Sequence, residues 1–218
     1  MTTLNPDQSA TSSSRPALTR GQIVAAATAL VDGEGLDKLT LRHLATQLGV
    51  TPMALYWHFR DKEALLDALG DALYAAIHLP EPVEPWPVDL SRVVQAVIDA
   101  FAEHPALAPL ALTSALSSSS GLLLAERILA LLTSAGLDDE TAANAGAILL
   151  HHVVSLVAAI PTADENLRAN PELLSGRYPT TLRLAPHLIE CNDLDAFLHL
   201  GRDLLVSGVR SLVASATT

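Results

Sequence analysis

Apolar residues recur at i, i+3, i+4 and i+7 through most of the sequence, and Gly and Pro cut that pattern into predicted helices. From Thr19 to Asp32 the residues Ile23, Val24, Ala27, Leu30 and Val31 form one stripe, which Gly33 and Gly35 end. Thr40 is placed to cap a second stripe of Leu41, Leu44, Ala45 and Leu48, and Gly49 stops it. Thr51 is placed to cap a third helix running from Met53 through His58, with Pro52 at its first position, where the missing N–H costs nothing. Asp61 opens a fourth, whose Leu65, Leu66, Leu69, Leu73 and Ile77 hold helical spacing to about His78.

Four prolines between Leu79 and Asp89 then stop any helix and mark a domain junction. Beyond it the spacing predicts helices over 90–103, 106–116, 122–135 and 138–160, a loop carrying Pro171, Pro179 and Pro186, and a last helix over 193–214. Half of the residues are hydrophobic, mostly Ala, Leu and Val with few aromatics, a composition that favours packed helices over sheets. The expectation is an all-α protein in four parts. These are a disordered arm over 1–16, a three-helix unit over 17–62, a connecting helix over 63–78 and a larger helical domain over 79–218.

Two short helices around a glycine turn make a helix-turn-helix, the arrangement that sets its second helix in the DNA major groove. Leu55 and Phe59, at i and i+4, suffice to pin that second helix to a core. Burying Tyr56, Trp57 and His58 as well is geometrically difficult on about two turns, so some of the three must face outward. Such side chains suit phosphates, sugars and base edges, with Arg42, Arg60 and Lys62 supplying positive charge at the margin. The net charge of −11 argues against nucleic acid until its distribution is considered. From Arg15 to Lys62 the balance is +2, leaving −13 on the remainder, so a mildly basic end sits on an acidic body.

Other chemistries find little support. The one cysteine, Cys191, forms no intrachain disulfide, has no basic neighbour to activate it, and fits a reducing cytosol. The polar N-terminus carries no signal peptide. The uncharged stretch from Thr141 to Ala163 is long enough for a bilayer, but Asn144, His151, His152 and Ser155 interrupt it, so a buried bundle or dimer helix is expected and no membrane. His151 and His152 are adjacent and point about 100° apart, which prevents their sharing a metal. No Gly-rich phosphate loop, His-Glu-x-x-His or nucleophile elbow points to an enzyme, and no cofactor is expected. A purely structural helical dimer is the competing reading.

Roughly residues 19 to 78 carry a specific resemblance. The helix before Gly33, Leu-Thr-Leu-Arg at 39–42, Leu-Gly-Val at 48–50, Leu-Tyr-Trp-His-Phe at 55–59, and Lys62 followed by Ala-Leu-Leu-Asp-Ala-Leu resemble the tetracycline-repressor (TetR/AcrR) family of bacterial transcription regulators. The resemblance implies that Thr40 and Lys62 bind phosphate, that Tyr56, Trp57 and His58 lie against the DNA backbone, and that Arg42, Thr51, Pro52 and Met53 face base edges. It also implies a cytoplasmic homodimer that releases a palindromic operator when a small effector binds. Two very apolar helices, 138–160 and 193–214, expose more surface than one bundle edge should, and a four-helix dimer interface would cover it.

His78 and Trp86 fall near positions of the tetracycline-repressor subclass, but other positions depart from it. Val93 and Val97 stand where that subclass has a polar and an aromatic drug contact, Ala111 where it has a metal-binding histidine, and Ala159–Ile160 where it needs an acidic ligand. A magnesium-bound tetracycline does not carry over. A largely apolar effector suits a pocket lined by Val93, Val97 and Phe101 with a few polar groups from His78, Asn144, His151 and His152.

Overall fold

A computed structural model describes residues 18–158, 178–189 and 193–216. The N-terminal arm with Arg15, the segment holding Ala159–Ile160, and Cys191 lie outside the described residues. Among those described there are ten α-helices and no strand: α1 (Arg20–Glu34), α2 (Leu41–Leu48), α3 (Pro52–Tyr56), α4 (Lys62–Ala75), α5 (Trp86–Ala102), α6 (Ala111–Ser114), α7 (Ser119–Ser134), α8 (Asp139–Ala158), α9 (Pro179–Ile189) and α10 (Leu194–Ala216).

The first three helices form a small bundle against α4. A reciprocal capping box starts α1, with the Gln22 N–H donating to Thr19 Oγ1 and the Thr19 N–H donating to Gln22 Oε1. One face of α1, Ile23, Ala27, Leu30 and Val31, is buried. A 3₁₀ turn over Leu36–Lys38 leads into Leu39, which is fully buried. Thr40 Oγ1 then accepts the His43 N–H at 3.1 Å and opens α2. Gly49 closes it in the left-handed conformation at φ 65°, which any larger residue would strain. Thr51 occupies the N-cap position of α3 but its hydroxyl makes no cap bond, and Pro52 supplies the helix start instead.

α4 joins the small bundle to the larger one by packing on α1 at one end and on α5, α6 and α7 further along. Gly70 is where it approaches α6 most closely, since a Cβ there would come within 2.8 Å of Ser114 Cβ. Tyr74 of α4 donates its hydroxyl to the Ala111 carbonyl at 2.7 Å and packs edge-on against Phe101, 5.8 Å between ring centroids. Burial pushes the Tyr74 phenol well above its ordinary range, so it stays a proton donor.

The larger bundle is built on α5, α7, α8 and α10. Asp89 on α5 is buried and takes both of its oxygens to Arg127 Nη2 on α7, at 2.8 and 2.6 Å. The Asp138 carboxylate starts α8 by accepting the Thr141 N–H and hydroxyl, which hold it below the usual carboxylate range. Arg202 on α10 donates to Gln95 on α5 at 2.8 Å. By length and composition α8 is apolar enough to cross a membrane, yet its Ala142, Ala145, Leu149, Val153, Val154 and Val157 are core residues of the bundle.

Several boundaries differ from the sequence expectation. α4 stops at Ala75 rather than His78. α5 starts at Trp86, inside the proline-rich stretch, because Pro87 sits in its first turn, where no N–H is needed. The helix expected over 106–116 is only a 3₁₀ turn, Ala108–Leu110, leading into the four residues of α6. α7 begins at Ser119, three residues early, because Ser118 caps it through the Gly121 N–H. The loop expected around Pro179 and Pro186 contains α9, with Pro179 as its first residue.

Candidate nucleic-acid interface and effector cavity

The turn from α2 to α3 decides what the protein presents at its N-terminal end. Leu55 and Phe59 are the buried residues of the segment from Thr51 to Arg60, and they hold it to Leu44, Ala45 and α1 in the shared core. The residues around them face outward: Trp57 is 84% exposed, Tyr56 50% and Met53 64%. Thr40, Arg42, Thr51, Pro52 and Lys62 are also exposed, and His58 is half-buried. Thr40 Oγ1 already accepts the α2 cap bond, which leaves its hydroxyl proton free to donate.

One residue of this site has no legible role in the sequence. Arg20, at the start of α1, lies over the Phe59 ring with its guanidinium carbon 4.3 Å from the centroid, and its Nη1 donates to the His58 carbonyl at 3.1 Å. No glycine closes the end of α3, so Arg20 satisfies a terminal carbonyl from 38 positions away in the sequence. A second long-range pair ties the small bundle to the larger one. His104 Nδ1, just past α5, meets Asp32 Oδ2 of α1 at 2.7 Å, beside a broad cleft between α1 and α4.

A separate cavity of about 470 Å³ lies among α4, α6, α7 and α8. Its wall is aliphatic, with Leu124, Ile128, Leu129 and Leu150 prominent, and among the described residues no charged group lines it. Tyr74, Thr113 and His151 are its polar side chains. Of the seven residues expected to line a pocket, His151 lines this one and the other six do not. Val93, Val97 and Phe101 are buried in the core beneath α5. Asn144 and His152 are exposed on α8 away from the cavity wall, and His78, exposed beyond the end of α4, turns Nδ1 to the Ala76 carbonyl at 2.9 Å. His151 and His152 each set Nδ1 on the carbonyl four residues back, at 2.8 Å. Among the described residues no three His, Cys, Asp or Glu side chains gather as a metal-binding group.

A pinned short helix with an exposed aromatic face, joined through one long helix to a bundle with an apolar cavity, defines a helix-turn-helix regulator with a sensor body. The family model "Bacterial regulatory proteins, tetR family" matches residues 23–69, and "Tetracyclin repressor-like, C-terminal domain" matches residues 79–213. The protein is 32% identical over 204 residues to the tetracycline repressor protein class G of Vibrio anguillarum, covering 91% of its own length and 96% of that relative. Apo ActR from Streptomyces coelicolor superposes with a TM-score of 0.75 at 27% identity, over 93% of this protein and 99% of ActR. BioQ, solved from Mycobacterium smegmatis, has also been solved with its double-stranded DNA operator, and that structure matches at TM-score 0.62 and 26% identity over 89% of this protein and 99% of BioQ. The protein belongs to the tetR family of bacterial regulatory proteins and is a ligand-responsive transcriptional regulator.

Proposed function

We propose that two copies of this protein pair through α8 and α10, set their α3 helices in successive major grooves of a palindromic operator, and release it when a small, largely apolar compound fills the α4–α8 cavity. The observation that carries the reading is the outward face of Tyr56 and Trp57 above buried Leu55 and Phe59. On this reading Thr40 and Lys62 hold phosphates, Tyr56, Trp57 and His58 lie along the backbone, and Arg42, Thr51, Pro52 and Met53 meet base edges. The paired α3 helices then sit about 34 Å apart, one turn of DNA. Among its relatives, ActR has been crystallised with actinorhodin and BioQ with its operator, which supports a DNA end and an effector cavity on one scaffold. The protein acts in the bacterial cytosol at the nucleoid and catalyses no reaction. Its working units are a reader over 17–62, the connecting helix over 63–78 and the sensor and dimer domain over 79–218.

The test is fluorescence anisotropy with DNA from upstream of the protein's own gene, at two salt concentrations. Specific binding should fall steeply with salt, and Lys62→Ala should reduce the salt slope by about one phosphate contact. Trp57→Ala should weaken all sequences alike, whereas Arg42→Ala should also cost about 1–3 kcal/mol of discrimination at one base pair. Absence of a specific complex on any palindromic probe would leave a structural helical dimer as the better account.

A further inference from the structure

We propose that the α4–α8 cavity selects an uncharged, largely apolar compound that donates hydrogen bonds over an analogue that only accepts them and over a carboxylate. The proposal rests on the cavity being the effector site and adds the chemical class of the effector.

Its basis is where the protons sit on the three polar side chains that line the cavity. Tyr74 has one hydroxyl proton and gives it to the Ala111 carbonyl at 2.7 Å. Thr113 has one and gives it to the Leu110 carbonyl at 3.0 Å. His151 sets Nδ1 at 2.8 Å from the Ala147 carbonyl. Two lone pairs do not approach that closely, so Nδ1 carries the hydrogen, and the one-proton tautomer this selects holds a lone pair at Nε2. All three side chains have therefore committed their donors to backbone carbonyls and keep only acceptors for a guest.

A guest with an O–H or N–H completes one of these acceptors without disturbing the protein. A guest with only carbonyl or ether oxygens finds no donor unless a lining residue first gives up its bond to the helix, which returns about what the new bond supplies. An anion fares worse. Among the described residues no Lys or Arg lines the cavity, so a carboxylate would meet the lone pairs of Tyr74, Thr113 and singly protonated His151 without a fixed positive charge. The aliphatic wall contributes affinity in proportion to the apolar area covered and does not distinguish the three.

The purified full-length protein is titrated by fluorescence at pH 8 with 9-phenanthrol, 9-methoxyphenanthrene and phenanthrene-9-carboxylate, which share one ring system. The phenol is expected to bind about three- to tenfold tighter than the ether, the yield of one neutral hydrogen bond, and the carboxylate weaker than both. In the His151→Phe/Thr113→Val double variant the phenol should lose most of that advantage while the ether keeps its affinity within about twofold. Gly146→Leu fills the cavity, since even a Cβ there comes 3.3 Å from Leu129 Cδ2, and should weaken phenol and ether together. Ether or carboxylate binding as tight as the phenol, with Gly146→Leu still weakening both, overturns the donor rule and leaves the cavity reading intact. So does a phenol preference undiminished in the double variant. Binding indifferent to Gly146→Leu, or none of the three probes binding, overturns the cavity reading and this inference with it.

Discussion

Arg20 shows how much a recognition surface depends on a residue outside the reading helix. Its guanidinium covers Phe59 and occupies the His58 carbonyl, so it fixes the angle at which α3 leaves the core. Exposed cation–π and single hydrogen-bond contacts contribute about 0.5–1.5 kcal/mol each. Arg20→Ala should lower stability by about 1–3 kcal/mol in urea melts and reduce operator affinity on every sequence, as anisotropy would report. A variant with unchanged affinity would make the contact merely structural. That some of Tyr56, Trp57 and His58 must face outward is legible from the sequence alone, because Leu55 and Phe59 already use the one buried stripe a short helix can offer; Tyr56 and Trp57 are the two that do, with His58 half-buried. The role of Arg20 is not legible there, because nothing local marks a cap supplied from the far end of a bundle.

At the level of elements, the locally encoded features are those that sequence reveals best. Thr40, Gly49, Pro52 and Asp61 set the starts and stops of α2, α3 and α4 through interactions spanning three or four residues. The cavity was harder to read, since i, i+3, i+4 spacing says that Val93, Val97 and Phe101 face inward but not whether the interior there is packed or hollow. They are packed, and the cavity opens one layer away, against α6 and α7. The Asp89–Arg127 pair that clamps α5 to α7 is likewise invisible to periodicity. Removing one partner leaves a charge in a largely buried place, so Asp89→Ala should cost near the low end of about 3–5 kcal/mol, Arg127 being partly exposed. The apolar double variant Asp89→Leu/Arg127→Met should recover most of that loss in thermal melts.

For the whole molecule, the question is what covers α8 and α10. Leu200 is 61% exposed and Leu204 66%, one turn apart on α10, with Ile148 also bare on α8. That much exposed aliphatic surface on long helices fits the proposed pairing of two copies. Leu204→Glu should weaken dimerisation by on the order of 2 kcal/mol, seen by sedimentation, and should reduce operator affinity without touching the reader. A variant that stays dimeric would move the interface elsewhere.

α4 carries Lys62 at its first turn and Tyr74 near its last, on a single helix about 18 Å long between them. Such a rod would act as a lever under the proposed function: a few degrees of tilt at the cavity end would become a shift on the order of an ångström where Lys62 stands. On the proposed function, induction would then be governed by angle and not by occupancy. A compound that fills the hollow without turning the Tyr74 end would leave the operator grip untouched and would act as a silent competitor of the true inducer.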